Sequence, residues 1–216
     1  MMKRTEQEGT WTGEFGKDYT DRNPHTPEEL DSLYKERFGL TRTALNCEFL
    51  EDMDRASSFL EVGTNVGTQL RTLQQSGFPK LAGLELQHYA LQQAVKASSE
   101  EIAYVQGSAF TLPFANEEFD VVFTSGVLIH LSPKDLGRAL TEIHRCAKKY
   151  IWGFEYFAQE HQSINYRGNE ELLWKGNFVK EYLKRFDDLE LVKERRLPYL
   201  NDSNVDVMFL IKKCCR

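Results

Sequence analysis

The sequence predicts an α/β fold, and two observations carry the prediction. From Ser57 onward, short apolar or β-branched runs alternate with longer stretches of helical period, and the first run opens into a glycine-bearing turn, SFLEVGTNVGT over 58–68. Such alternation implies right-handed crossovers between mostly parallel strands. At 216 residues with 41% hydrophobic side chains, the chain is long enough for one sizeable core and short for two. The expected layout is a tail and lid helices over 1–56, then one sheet domain over 57–216 with an insertion near 157–180.

Five strands are expected first: FLEV (59–62), KLAGLE (80–85), IAYVQG (102–107), FDVVFTS (119–125) and YIWGFEY (150–156). Between them 67–76, 87–98 and 133–148 can each form a helix with one apolar face. In the last, Leu136, Ala139, Leu140, Ile143 and Ala147 recur at three-and-four spacing, and Ser132-Pro133 supplies an N-cap and a first-turn proline. Residues 28–53 read as one or two helices ahead of the sheet, and 170–186 as a helix after the fifth strand. DLELVKERRLPYL (188–200) and NVDVMFLIKK (204–213) then form two further strands around a polar turn, for seven strands in all.

Composition narrows the partners. With 27 basic against 33 acidic residues the formal charge is −6, and no Lys/Arg cluster with interleaved aromatics provides a nucleic-acid footprint. The start, MMKRTEQEGTWTGEF, has no apolar signal-peptide core, and no later apolar run approaches the roughly 20 residues of a membrane span, so a cytoplasmic protein is expected. The four cysteines, at 47, 146, 214 and 215, include no C-x-x-C pair and read as buried or incidental thiols; the terminal Cys214-Cys215-Arg216 carries no assigned role.

In an open parallel sheet, ligands bind beyond the carboxyl ends of the strands, and the turn after the first strand is the usual place. Gly63 allows that turn a positive φ and Gly67 lets the helix start lie close; alone, the two glycines also fit a simple tight turn. Three companions add weight. Glu85 stands at the end of the second strand, where a carboxylate can accept from both hydroxyls of a ribose. GSAFTLPF (107–114) follows the third strand, where Gly107, Ser108 and Ala109 can face an adenine edge while Leu86 packs on its face. A Ser125-Gly126 turn closes the fourth. These loops together make a nucleoside pocket.

The order of motifs over roughly 57–156 resembles the class I S-adenosylmethionine-dependent methyltransferases: E-x-G-x-x-x-G at 61–67, the acid at 85, G-x-A-x-x-L-P-F at 107–114 and FDVVFTSGVLIHL at 119–131. Neither a dehydrogenase G-x-G-x-x-G, a P-loop lysine nor a nucleophile elbow is present. The resemblance implies a Rossmann-like seven-stranded sheet with helices on both faces under an N-terminal helical lid. It also implies S-adenosyl-L-methionine as cofactor, held by Glu61, Gly63, Thr64, Asn65, Gly67, Glu85, Leu86, Gly107, Ser108, Ala109, Ser125, Gly126 and Val127. Two positions depart from the common pattern. Asn65 stands where many members carry glycine, and asparagine tolerates left-handed backbone; Ser108 stands where many carry an aspartate that contacts the adenine amine. More narrowly, EFGKDYTDRN (14–23), FGLTRTALNCEFL (38–50), EVGTNVG (61–67), NYRGNEELLWKGNF (165–178) and DLELV (188–192) resemble the methylases associated with pseudaminic acid biosynthesis, in which the loop asparagine is normal.

A sulfonium methyl is already activated, so such an enzyme must chiefly align donor and acceptor and exclude water; a base is needed only for a hydroxyl or protonated amine. His130, just past the fourth strand, is a candidate base or a packing histidine. Glu155, ending the fifth strand, opens the acceptor side. Tyr19, with Asp21, Arg22 and Asn23, forms a lid cluster or part of a disordered tail. Arg42 can clamp the cofactor carboxylate or sit solvated on an amphipathic helix. The insertion, with Arg167, Trp174 and Lys175, suits a polar or anionic small molecule, or is ordinary surface with Trp174 buried. The expected activity is methyl transfer to an oxygen or nitrogen of a small polar metabolite, such as a sugar or sugar nucleotide of surface-glycan assembly. Natural-product tailoring and a cofactor-binding protein without turnover are the alternatives. No metal, nucleic-acid or membrane partner is expected, and the oligomeric state is left open.

Overall fold

The computed structural model describes residues 4–214, so Cys215 and Arg216 lie outside the described residues. Seven strands form the main sheet: β1 (Ser58–Val62), β2 (Lys80–Glu85), β3 (Ile102–Gln106), β4 (Phe119–Ser125), β5 (Ala147–Tyr156), β8 (Leu189–Pro198) and β9 (Val205–Lys213). Their order is β3-β2-β1-β4-β5-β9-β8. All neighbours up to β5 are parallel, while β9 runs antiparallel to both β5 and β8. The order reverses between β1 and β4, which opens a crevice at the carboxyl edge.

Alternation along the strands builds a core on each face. Val122, Val207, Phe209 and Ile211 join Leu136, Leu140 and Ile143 of helix α7 (Pro133–Cys146) and Phe178, Val179 and Tyr182 of α8 (Phe178–Arg185). Their neighbours Val121, Phe123, Met208 and Leu210 face the other way. They meet Leu30, Tyr34 and Phe38 of α3 (Pro27–Phe38), Leu45 and Phe49 of α4 (Arg42–Leu50), and Leu70 and Leu73 of α5 (Thr68–Gln75). Helix α6 (His88–Ala97) follows β2. Among the described residues, no helix is long and apolar enough to cross a membrane.

Several boundaries differ from the sequence expectation. Strand β5 begins three residues early, at Ala147, because α7 ends at Cys146. The helix expected over 170–186 starts only at Phe178, where the Asn177 side chain caps it by accepting from Lys180 N. Ahead of it, 162–175 folds as a two-stranded ribbon, β6 (Gln162–Ser163) with β7 (Trp174–Lys175), so two short strands add to the seven. Left-handed backbone at Arg167, Gly168 and Glu171 turns that ribbon and is incompatible with a helix. At the other end, the polar tail forms α1 (Glu6–Thr12) and α2 (Glu14–Arg22). A capping box starts α1: Glu8 N donates to the Thr5 hydroxyl at 3.1 Å, and Thr5 N donates to Glu8 Oε2 at 2.8 Å.

Candidate functional site

A cavity of about 400 Å³ lies at the carboxyl edge of the sheet, roofed by α1 and α2. Its floor begins at the turn after β1. Gly63 has φ +75° and Asn65 φ +48°, both left-handed. The Gly63 and Thr64 amides donate to the Leu84 carbonyl at 2.8 and 3.0 Å, tying the turn to β2. Asn65 N donates to Glu85 Oε2 and Gln87 N to Glu85 Oε1, each at 2.8 Å. Two backbone amides thus hold the Glu85 carboxylate in place, and each oxygen keeps a lone pair for a further donor. Burial raises the Glu85 pKa despite these bonds. Glu61 lies beneath, 3% exposed, accepting from the Thr64 hydroxyl at 2.7 Å, and burial pushes its pKa up to about 8.

Leu86, Gly107, Ser108 and Ala109 line the next stretch of wall, beyond β2 and β3. Ser125, Gly126 and Val127 line the opposite side, where Gly126 (φ +68°) donates its amide to the Phe154 carbonyl at 2.8 Å. Glu155, buried, accepts from Val127 N at 3.2 Å and Ile129 N at 3.4 Å, so it caps the 3₁₀ turn Leu128–His130 as well as lining the cavity. Burial pushes its pKa up to about 7.

His130 lies on that turn. Its Nδ1 is 2.9 Å from the Leu172 carbonyl, which can only accept, so Nδ1 carries the proton and Nε2 is the basic nitrogen. Burial lowers its pKa to about 4. Rings of the lid and the ribbon surround it: Trp11 at 4.4 Å between centroids, Tyr166 at 5.9 Å and Tyr19 at 6.0 Å. Burial pushes the Tyr19 hydroxyl up to about 12.

Most residues expected at the site line this one cavity; Arg42 and Gly67 do not. Arg42 is fully buried below it, donating to Asn46 Oδ1 at 2.9 Å, Tyr34 Oη at 2.6 Å and Ser125 Oγ at 3.2 Å, with the Phe154 ring 4.6 Å away. It therefore meets the cavity through Tyr34 and Ser125, and it is not solvated. A Cβ at Gly67 would stand 2.1 Å from the Tyr104 hydroxyl, so this glycine serves packing of α5 on β3. In the insertion, Arg167 is exposed and Trp174 buried, while Tyr166 and Leu173 reach the cavity. Sequence reasoning missed Glu8, Trp11, Arg37, Gln87 and Asp206, which also line it. For Glu8 a signal existed: Thr5-x-x-Glu8 is a capping-box spacing, which marks a helix start inside the polar tail.

Residues 60–150 match the family model described as a methyltransferase domain. An uncharacterized methyltransferase of Synechocystis sp. is 40% identical over 76 residues, which is 35% of this chain and 35% of that protein, so the match spans about a third of the relative's length. Among solved structures, a protein of Pyrococcus horikoshii superposes with a TM-score of 0.67 at 15% identity, covering 91% of this chain and 98% of its own. The 1,6-didemethyltoxoflavin-N1-methyltransferase of Burkholderia thailandensis, solved with bound 1,6-didemethyltoxoflavin and S-adenosylhomocysteine, superposes at 0.64 with 16% identity over 80% and 76%. A S-adenosylmethionine-dependent methyltransferase of Methanosarcina mazei superposes at 0.66 with 15% identity over 78% and 98%. Residues 60–150 thus carry the sequence of a methyltransferase domain, and the described chain takes the Rossmann-like fold of the S-adenosylmethionine-dependent methyltransferases.

Proposed function

We propose that the protein is an S-adenosylmethionine-dependent methyltransferase acting on an oxygen or nitrogen of a small polar metabolite, with a sugar or sugar nucleotide of pseudaminic acid-type surface-glycan assembly as the acceptor class. The observation that carries the reading is the Glu85 carboxylate, held by two backbone amides at the switch point of the sheet and facing the cavity. The donor set fits the cofactor: paired acceptors for a ribose diol at Glu85, an apolar surface for the base at Leu86 and Ala109, and the buried acids Glu61 and Glu155 where positive charge can be accommodated.

When bound, the cofactor supplies an activated methyl on a sulfonium. The chain's own part is alignment and exclusion of water. Trp11 and Tyr19 close the cavity from the lid side, and Val127, held by Glu155, narrows it from the β4 side. His130 Nε2, the unprotonated nitrogen in the tautomer held by Leu172, faces the proton that a hydroxyl or a neutral amine releases as it is methylated; with its pKa lowered to about 4 it is a weak base, free of a proton at neutral pH. Tyr19 and Tyr166 position the acceptor beside it.

A second reading draws on the same wall. Trp11, Tyr19, Tyr166 and His130 present ring faces and edges within 6.0 Å of one another in three pairings with His130, a lining that suits a planar heteroaromatic acceptor and hence natural-product tailoring. Calorimetric titration with S-adenosylmethionine and S-adenosylhomocysteine tests the cofactor: binding is expected in the native protein, weakened at least about 100-fold by Glu85→Ala through loss of two hydrogen bonds to a charged group. No binding by the native protein overturns the assignment. Transfer of a labelled methyl to a panel of sugar nucleotides and of planar heteroaromatic compounds then separates the two acceptor classes.

A further inference from the structure

Glu8 has no place in the usual strand-end loops, yet it reaches the cavity wall. Its Oε2 accepts from Thr5 N at 2.8 Å, and its Oε1 accepts from the Ser108 hydroxyl at 2.6 Å. Ser108 belongs to the loop after β3, which neighbours β2 in the sheet. A ribose at Glu85 places its base one strand further out, about 4.8 Å along the sheet, which is over that loop. Leu86 and Ala109 supply apolar lining there. The polar group presented at this end is the Glu8 carboxylate, held at both oxygens by protein donors and able only to accept.

We propose that Glu8, carried by lid helix α1, reads the exocyclic amine of the cofactor's adenine, so that a 6-aminopurine nucleoside is recognised by the lid as well as by the sheet. This rests on the cofactor reading above. The Ser108 hydroxyl spends its one proton on Glu8 and accepts from Phe110 N at 3.2 Å, leaving the carboxylate lone pairs and one hydroxyl lone pair for the base. An amine donates into that arrangement, whereas a 6-oxo purine sets an acceptor against an acceptor. The lid is joined to the ribose end as well. Gln87, whose amide donates to Glu85, also donates its side-chain Nε2 to the Trp11 carbonyl at 3.0 Å and the Gly13 carbonyl at 3.3 Å. The groups that would hold the nucleoside are therefore tied to α1 at both its ribose end and its base end.

The test compares S-adenosylhomocysteine with S-inosylhomocysteine, its 6-oxo analogue, by calorimetry on native protein, Glu8→Ala, Thr5→Ala and Glu85→Ala. The native protein is expected to prefer the adenosyl ligand by roughly tenfold or more, the worth of one hydrogen bond to a charged group. Glu8→Ala is expected to bring the two affinities within about twofold of each other, whereas Thr5→Ala, which loosens α1 but keeps the carboxylate, weakens both ligands by the same factor. If Glu8→Ala leaves the preference at its native value, or weakens both ligands alike as Thr5→Ala does, Glu8 is only a helix cap and the proposal is overturned. A native protein that binds neither ligand overturns the cofactor reading itself, and a preference that survives in Glu8→Ala overturns this proposal while leaving that reading intact.

Discussion

His130 shows how a single residue acquires its chemistry from its neighbours. An exposed histidine titrates near 6.5, but burial under Trp11 lowers this one to about 4, and the Leu172 carbonyl selects the Nδ1-protonated tautomer. The folded state therefore resists a proton that the unfolded chain takes up. Stability is expected to be lost as pH falls from about 6.5 to 4, by up to about 3 kcal/mol from this group. His130→Asn retains an amide donor for Leu172 and removes the titration, so its unfolding free energy should fall less between pH 7 and 4 in denaturant titrations. NMR of the ring should show an Nε2 without a proton and no shift between pH 5.5 and 8. A ring that titrates near 6.5 contradicts the buried environment. The sequence offered His130 as a candidate base or a packing histidine, but its tautomer and lowered pKa were not legible there, because the partner that decides the tautomer lies 42 residues later.

Elements illustrate the same division. Strands β2 and β4 fall on their predicted bounds because their apolar runs end at Glu85 and at the Ser125-Gly126 turn. The ribbon within 157–177 was not legible, since its strands are two residues long and held by distant contacts with β5 and the turn after β4. Helix α2 is similar: it has no side-chain cap, and its Gly16 packs against Trp11 of α1 and the Gln87 side chain. A Cβ there would stand 1.9 Å from the Trp11 carbonyl and 2.6 Å from Gln87 Nε2. Gly16→Ala is expected to displace α1 and α2, raising their amide exchange and weakening S-adenosylhomocysteine at least about tenfold while leaving protection of the sheet unchanged. Unaltered exchange in both helices would count against a seated lid. Arg42 performs the corresponding task for α4, joining it to Tyr34 of α3 and Ser125 of β4. Arg42→Met leaves those partners unpaired and is expected to cost about 3 kcal/mol in unfolding free energy, against under about 1 kcal/mol for an exposed arginine.

Across the whole molecule, the carboxyl edge of the sheet gathers three buried acids around one cavity. Glu61 is the last residue but one of β1, Glu155 the last but one of β5, and Asp206 the second of antiparallel β9 at the same edge, with their pKa values pushed up by burial to about 8, 7 and 8. The sequence disclosed the first two as members of strand-end motifs. Asp206 was hidden because only the antiparallel return of β9 brings a strand beginning to the side where the others end. Each acid binds a proton more tightly in the folded state, so each contributes stability below its unfolded pKa that is lost as pH rises through 7 to 8. Asp206→Asn, which stays neutral, should gain thermal stability over the native protein as pH rises from 6 to 9. The arrangement also prepares the site for positive charge. The methyl donor carries one more positive charge than its thioether product, and a cation beside Glu61 and Glu155 favours their ionised forms. The affinity of S-adenosylmethionine relative to S-adenosylhomocysteine is therefore expected to rise between pH 6 and 9, as the acids lose protons that the cation would otherwise have to displace. Calorimetry in buffers of different ionisation enthalpy measures both the ratio and the protons released. A ratio independent of pH, with equal proton release for the two ligands, would place the sulfonium away from both acids, and the acids would then be structural features of the sheet edge alone.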